Sequence, residues 1–515
     1  MADPTDPPLR VQAAGMRAVD LVLIVVVLSI AAAVRLSWLG SPGYSVDELW
    51  TAELAVGRGS THLHLPLNVL VPPPPPDLFR ISDAPPWWHV WTHMECTHPP
   101  LYFVALRLWI AAFGQGDVTE RMLSVVCSML AIALLYDAAR LHNGRAVAFW
   151  AATLMALAQP QIDLSRQTRN YAMLELTALA AIDALVRIEH FGINGRRCIA
   201  LTAAVLATLL THYFCIGAVG AMGLYAMIRL PGRARSRVFI AFIIAGIVFA
   251  IGWGPFMWRQ RALFATDDTA TRFLQESGPQ HLWLTLQRVT LIPAAMLAKP
   301  RLAMVVVSSG MVVLYVLPLL LLRRRPDLLL WCVLLIGVVA PLVLLDLARG
   351  TGHLAFVRYP LLAGPAVYVL VPGLMTIAPT RWVCHAIPAA AAIACALAAP
   401  DVYHPRQTDT RLMAAEMGSR IRAEDLLVFG GEGNHLWEAQ AQYMMLSRYQ
   451  RSIRSPMALV DRPVDGQVLD RARRSRYVFA FSVGNPLQFL PGFRLVDSRL
   501  YVGGGGCAQL APPAR

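Results

Sequence analysis

Adjacent carboxylates at Asp47 and Glu48 follow directly on the first long apolar run of the chain, within YSVDELWTAELA at residues 44–55. A carboxylate this close to a membrane-crossing segment costs free energy to desolvate, so it faces water, a partner or a substrate. Solvated loop acids meet that condition as well as catalytic ones do, so the pair gains meaning only from what the chain brings beside it. Further residues with chemistry to offer stand at the ends of later apolar runs: His98 with Pro99, Asp163, Arg169 and Tyr171, His212 and Tyr213, and Arg358 with Tyr359. A carboxylate together with arginines suits displacement of a sugar from a lipid phosphate. The carboxylate would take the acceptor's proton as general base, while guanidinium groups hold the leaving phosphate through charge-assisted contacts. Tyrosines would stack on or hydrogen-bond the sugar, and Arg272 and Lys299 would assist from the same side.

Whether these residues meet depends on topology. The 515 residues are 56% hydrophobic and only 15% charged, and the mean hydropathy is +0.51. That balance excludes an ordinary water-soluble protein and implies a polytopic membrane chain. The formal charge of +13 is almost wholly arginine, Lys299 being the single lysine. The arginines fall mainly between apolar runs, which argues for membrane orientation and against nucleic acid. The eight cysteines show no CxxC pair or metal-finger spacing, so redox chemistry is not expected. The first apolar run is too long for a signal-peptide core and is read as a retained span.

A span needs about 20 mostly apolar residues, and basic loops mark the cytoplasmic side. Residues 1–18 form a cytoplasmic tail and residues 19–38 the first span, which puts Asp47 and Glu48 outside. The first external loop, 39–117, contains the five-proline run 72–76, which is extended or polyproline-like, and ends in an amphipathic helix at 98–114 lying on the outer face. Spans follow at 118–139, 146–162, from Tyr171 to about 187, up to Thr211, back to the basic loop 229–237, and at 239–258. Residues 282–300 lie on the outer face as a surface or re-entrant helix. Spans at 302–322, 328–347, 361–377 and 382–399 complete a count of eleven, with Arg381 in a cytoplasmic loop. This parity gathers Asp47, Glu48, His98, Asp163, Arg169, Tyr171, His212, Tyr213, Arg358 and Tyr359 at the outer face, whose loops are 39–117, 163–170, 259–300 and 348–360 together with the span end at Thr211–Tyr213. A change of composition at residue 400 marks a small extracytoplasmic α/β domain, 400–515, with strand-like runs at 425–431 and 476–483 and helices near 411–422 and 438–449. Its GGEGN, 430–434, lacks the lysine of a phosphate loop, and nucleotide binding is not expected there.

SVDELWTAELA after the first span, HPPLYFVALRLWIAAFG before the second, SRQTRNYAML, THYF and FVRYP occur in a consistent order. This set resembles the GT-C integral-membrane glycosyltransferases, in the bacterial branch with protein O-mannosyltransferases and aminoarabinose transferases, over about residues 19–377. The resemblance implies a GT-C α-helical membrane fold in a bacterial inner membrane, a polyprenyl-phosphate sugar donor, no nucleotide sugar, and an outer-face active site. It makes Asp47 the catalytic base with Glu48 beside it, lets His98 and Pro99 line the cavity, and places Arg358 near the lipid phosphate. Arg169 and Tyr171 match the family's SQEARxYA. Arg166, Gln167 and Thr168 stand where Gln, Glu and Ala are usual, so the missing glutamate shifts weight to Asp163 as the second acid.

The first external loop also holds His62, His64, His89, His93, Glu95 and Cys96. His89 and His93 would share a helix face, but Trp87, Trp88 and Trp91 around them fit an interfacial aromatic segment better than a metal site. No metal ligand is assigned, and a divalent cation is left open. Two rivals share the topology. A transporter or flippase would show repeated halves and acids within its spans, and a surface-polysaccharide polymerase or ligase would lack the early Asp-Glu. The acceptor, whether protein, lipid or glycan, cannot be read from these motifs.

Overall fold

The computed structural model describes residues 16–74, 76–265, 274–276, 278–298, 311–377, 380, 382–402, 410–431, 435–450, 453–483, 485–500 and 505–513. Arg272, Lys299, Arg381, Pro75, residues 302–310 and residues 432–434 of the GGEGN run lie outside them. The chain folds into two compact units. One comprises Met1–Ser37, His98–Tyr102 and Arg121–Tyr403; the other comprises Trp38–Thr97, Phe103–Glu120 and His404–Arg515.

The first unit is helical. Among the described residues four helices are long and apolar enough to cross a membrane: Ala18–Leu36, Asp117–Asn143, Gly232–Gly252 and Pro326–Arg349. Shorter apolar helices, such as Arg145–Leu157, Leu361–Met375 and Val383–Ala398, accompany them. The third expected span is broken. Its helix ends at Leu157, Ala158 is extended, and Pro160 opens a second helix, Gln159–Ser165, as proline does where an amide has no helical acceptor. Asp163 therefore sits on a helix, and the loop expected at 163–170 is Arg166–Asn170.

Buried charge in this unit is met by backbone and side-chain partners, as at Arg35. Arg35, fully buried on Ala18–Leu36, donates to the carbonyls of Met155 and Ala156 at 3.2 and 2.8 Å and to Ser128 Oγ at 3.0 Å. Those carbonyls end the Arg145–Leu157 helix, where unpaired acceptors and the helix dipole favour a cation. The helices Ile216–Arg229 and Leu329–Arg349 approach so closely at Gly217 that a Cβ there would lie 2.3 Å from the Gly337 carbonyl oxygen. Only small residues permit such an approach.

The second unit is α/β. Among the described residues its five strands, β1 (Leu426–Gly430), β2 (Met457–Val460), β3 (Val478–Val483), β4 (Arg494–Leu500) and β5 (Gly505–Ala511), are ordered β2-β1-β3-β5-β4. β1 is parallel to β2 and β3, and β5 is antiparallel to β3 and β4. Alternation along β1 divides its side chains between two cores: Leu427 and Phe429 face one, Leu426 and Val428 the other, as a period of two requires. The expected strands and helices of the tail are present. The expected linear split is not the way the chain packs. The helix Val46–Leu54, with Tyr44, Leu65 and Phe79, builds one of those cores together with the helix Leu436–Tyr449.

A buried ion network fastens that packing. Arg448 reaches Glu120 Oε1 at 2.7 Å and Asp117 Oδ1 at 3.2 Å. Tyr44 donates to Glu120 Oε2 at 2.9 Å, Tyr449 to Asp117 Oδ2 at 2.8 Å, and the Tyr44 amide to the Tyr449 hydroxyl at 2.7 Å. Burial, then the Glu120 charge, pushes the Tyr44 phenol well up, so it stays a donor. Removing one partner of a buried charge set strands the others. Arg448→Met should weaken this unit by about 3–5 kcal/mol, read as loss of strand signal at lower temperature in circular dichroism of the detergent-solubilised chain.

Candidate active site

Asp47 and Glu48 lie in the first turn of Val46–Leu54, in the second unit. Glu48 is buried and closes a capping box. Its Oε2 accepts from the Ser45 amide at 3.0 Å and from Ser45 Oγ at 3.2 Å, while Ser45 Oγ accepts from the Glu48 amide at 3.4 Å. That is the reciprocal pairing of a serine with a glutamate three residues on. Glu48 thus has a structural task, and Asp47, half-buried in the same turn, does not share it.

The first unit brings most of the other candidates together. His98 opens the helix Leu101–Phe113 through Pro99 and Pro100, and its carbonyl accepts from Gln260 Nε2 at 3.1 Å. Gln260 Oε1 in turn accepts from the Tyr213 hydroxyl at 2.7 Å, which accepts from Trp253 Nε1 at 2.8 Å. Asn170 ties the Arg166–Asn170 loop to the Thr211 carbonyl at 2.9 Å. Leu164, Tyr171 and Leu361 form a small apolar cluster joining that loop to the end of FVRYP.

Within this frame Arg169 donates to His98 Nε2 at 3.1 Å, and its guanidinium lies 5.7 Å from the centre of the Tyr171 ring. The His98 and His212 rings are 4.9 Å apart, and His212 lies 5.9 Å from Tyr171 and 5.4 Å from Phe214. Arg358 sits 5.3 Å from the Tyr359 ring, and Tyr359 packs on Phe214 and His353. So His98, Arg169, Tyr171, His212, Arg358 and Tyr359 share one cluster. Asp163 is on the adjoining helix, its Oδ1 accepting from Gln167 Nε2 at 3.3 Å.

The protons of this cluster can be placed. The Phe214 amide donates to His212 Nδ1 at 3.1 Å, so the neutral ring carries its proton on Nε2. Nε2 is buried and has no hydrogen-bond partner. Burial first, then the Arg169 and Arg358 charges, push His212 down to about 3. Burial, His212 and the same two arginines hold His98 well below its ordinary value. Two guanidiniums and two neutral imidazoles, with the buried His212 Nε2–H among them, make a positive cluster with the chemistry of an anion site.

Residues not anticipated from sequence complete the frame. Gln260 links Tyr213 to His98. Asp346, fully buried, accepts from His353 Nδ1 at 2.7 Å, from the His353 amide at 2.9 Å and from Thr351 Oγ1 at 2.9 Å. This fixes the His353 ring against Phe214 and Tyr359. An acid at the end of the apolar run 328–347 was the available signal for Asp346; Gln260 carried none. The first-loop histidines go elsewhere. His62 pairs with Glu53 at 2.5 Å, His64 with Glu95 at 3.3 Å, and the His89 and His93 rings stack 5.0 Å apart.

Residues 97–258, which include His98, Asp163, Arg169 and His212, match the family model described as dolichyl-phosphate-mannose-protein mannosyltransferase. No match is found among curated protein sequences. The fold is similar to that of ArnT from Cupriavidus metallidurans in the apo state, with a TM-score of 0.57 and 12% identity over 96% of this chain and 98% of that one. The same protein bound to undecaprenyl phosphate gives a TM-score of 0.52 and 11% identity over the same shares. The chain is thus a multi-pass membrane protein whose fold is similar to that of ArnT, and part of which matches the mannosyltransferase family model.

The depressed histidine pins a pH response. Between about 3 and the ordinary 6.5, the unfolded chain binds a proton at His212 that the folded chain refuses, so folded-state stability falls as pH falls through that window. The thermal midpoint of the wild type should therefore drop more steeply than that of His212→Gln on acidification below about pH 6.5. Equal slopes in melting curves of the two proteins would remove His212 as the cause.

Proposed function

We propose that this protein transfers a sugar from a polyprenyl-phosphate donor to an acceptor hydroxyl at the outer face of a bacterial cytoplasmic membrane. The observation that carries this reading is the buried His212 Nε2–H, directed by the Phe214 amide and set among Arg169 and Arg358. A fixed donor beside two guanidiniums suits a phosphate that must gain charge as its bond to the sugar breaks. ArnT, whose fold is similar, has been solved bound to undecaprenyl phosphate, which supports a lipid phosphate as the anion.

In the proposed reaction the acceptor oxygen attacks the anomeric carbon and its proton passes to Asp47. The bond from that carbon to the phosphate oxygen breaks, and the electron pair leaves on the phosphate. Arg169, Arg358 and His212 hold that phosphate, Tyr171 and Tyr359 flank the sugar, and Asp163 serves as the second acid toward the acceptor. His98 and Pro99 form the wall between the two substrates, and Tyr213 holds that wall through Gln260. Polar partners with several contacts and an aromatic surface fit a sugar-phosphate better than a solute in transit, and the charges lie at helix ends rather than mid-span, which weighs against a transporter.

Turnover of a panel of polyprenyl-phosphate sugars by the purified chain tests the proposal. Asp47→Asn should lose about 10²- to 10⁴-fold in kcat. Glu48→Gln, which preserves the capping box, should retain most activity. Arg358→Met should cost about 2 kcal/mol, roughly 30-fold, in kcat/KM. Turnover of no donor by the wild type, or undiminished turnover by Asp47→Asn, would overturn it. Equal losses in Asp47→Asn and Glu48→Gln would reassign the base.

A further inference from the structure

A second cluster of chemically capable side chains lies apart from this site, in the last turns of three helices of the first unit. His142 stands at the end of Asp117–Asn143, Glu189 and His190 at the end of Tyr171–Phe191, and Tyr225 and Arg229 in the last turns of Ile216–Arg229. His142, Glu189 and His190 offer ligand atoms all within 4.8 Å of one another, and among the described residues they are the one group of three that does so.

The spacing is that of metal ligands. His142 Nδ1 and His190 Nε2 are 3.4 Å apart. Two imidazole nitrogens at about 2.0–2.1 Å from a tetrahedral ion lie about 3.3–3.4 Å from each other. Glu189 Oε2 is 3.8 Å from His142 Nδ1. The surroundings orient these atoms. Tyr225 donates its hydroxyl proton to Glu189 Oε2 and lies 3.4 Å from His142 Nε2. A His142 Nε2–H directed at Tyr225 turns the Nδ1 lone pair toward Glu189 and His190 Nε2, where one cation can be shared by all three. A ligating histidine whose other nitrogen is held by a polar neighbour is the common pattern in metal sites. Arg229 holds the other oxygen, Glu189 Oε1, at 3.0 and 3.2 Å, which leaves Oε2 for a ligand. The negative ends of three helix dipoles add to the preference for positive charge.

We propose that His142, Glu189 and His190 bind one divalent transition-metal ion of the zinc class, with water in the fourth position, clipping together the ends of Asp117–Asn143 and Tyr171–Phe191. Two imidazoles and one carboxylate favour zinc over magnesium or calcium. This site is independent of the glycosyl-transfer reading.

The test uses the full-length, detergent-solubilised chain, stripped with EDTA and titrated calorimetrically with Zn2+, with Co2+ absorption as a second readout. The wild type should bind one tight equivalent of Zn2+, show the ligand-field bands of tetrahedral Co2+, and gain thermal stability on loading. His190→Gln should lose that equivalent and the bands, and Glu189→Gln should bind at least tenfold more weakly. The double variant His89→Ala, His93→Ala should bind as the wild type does. Absence of tetrahedral Co2+ bands in the wild type overturns the proposal whatever the variants do. So does unchanged Zn2+ affinity in a monodisperse His190→Gln protein, and so does transfer of the loss to the His89, His93 variant.

Discussion

A guanidinium keeps its charge wherever the fold puts it, and in a chain whose positive charge is nearly all arginine every buried cation has to be met by structure. Three solutions recur. Arg35 is met by the carbonyl end of a helix, so that two helices are joined without any carboxylate among those contacts. Arg448 is met by Glu120 and Asp117, with two tyrosines completing the set. Arg169 is met by a neutral histidine and a ring. The first two fasten helices within their own units, and the third sets Arg169 beside His98 and Tyr171.

Neutral histidines are what make the third solution workable. A protonated imidazole between Arg169 and Arg358 would add charge to charge in a place with little water. Burial and the two guanidiniums keep His212 neutral, and the ring then contributes geometry: one nitrogen anchored on the Phe214 amide, the other presenting its proton. The frame behind it is a chain of side-chain bonds, from Trp253 through Tyr213 and Gln260 to the His98 carbonyl, so ring positions on separate helices are set together.

Much of this was legible in the amino-acid order. Hydropathy and arginine placement gave the helical membrane class, and the ordered motifs pointed to Arg169, His212 and Arg358 before any geometry was known. The strands and helices of the tail followed from alternation and composition. The capping box was also written plainly, as Ser45 followed by Glu48 three positions on, and it accounts for one of the two acids. What sequence could not supply were relations between distant segments. Nothing near Gln260 announces that it bridges Tyr213 and His98, and the break at Ala158, which places Asp163 on a helix, depends on how the Arg145–Leu157 helix is stopped. The expectation that residues 39–117 belong with the membrane helices followed chain order, whereas Tyr44, Leu65 and Phe79 bury their apolar surface with Leu436–Tyr449.

That last arrangement bears on how the protein comes to exist. The segment bearing Asp47 is made early, and the strands and helix that complete its core are made only after the helices up to Val383–Ala398. Tyr44 and Phe79 have no finished core to enter until then, and contacts of such long sequence separation form slowly because loop closure precedes any gain. The acid proposed to start the chemistry is therefore held in its final turn only in a chain translated through Leu436–Tyr449, and one terminated before that helix would lack the core that holds it.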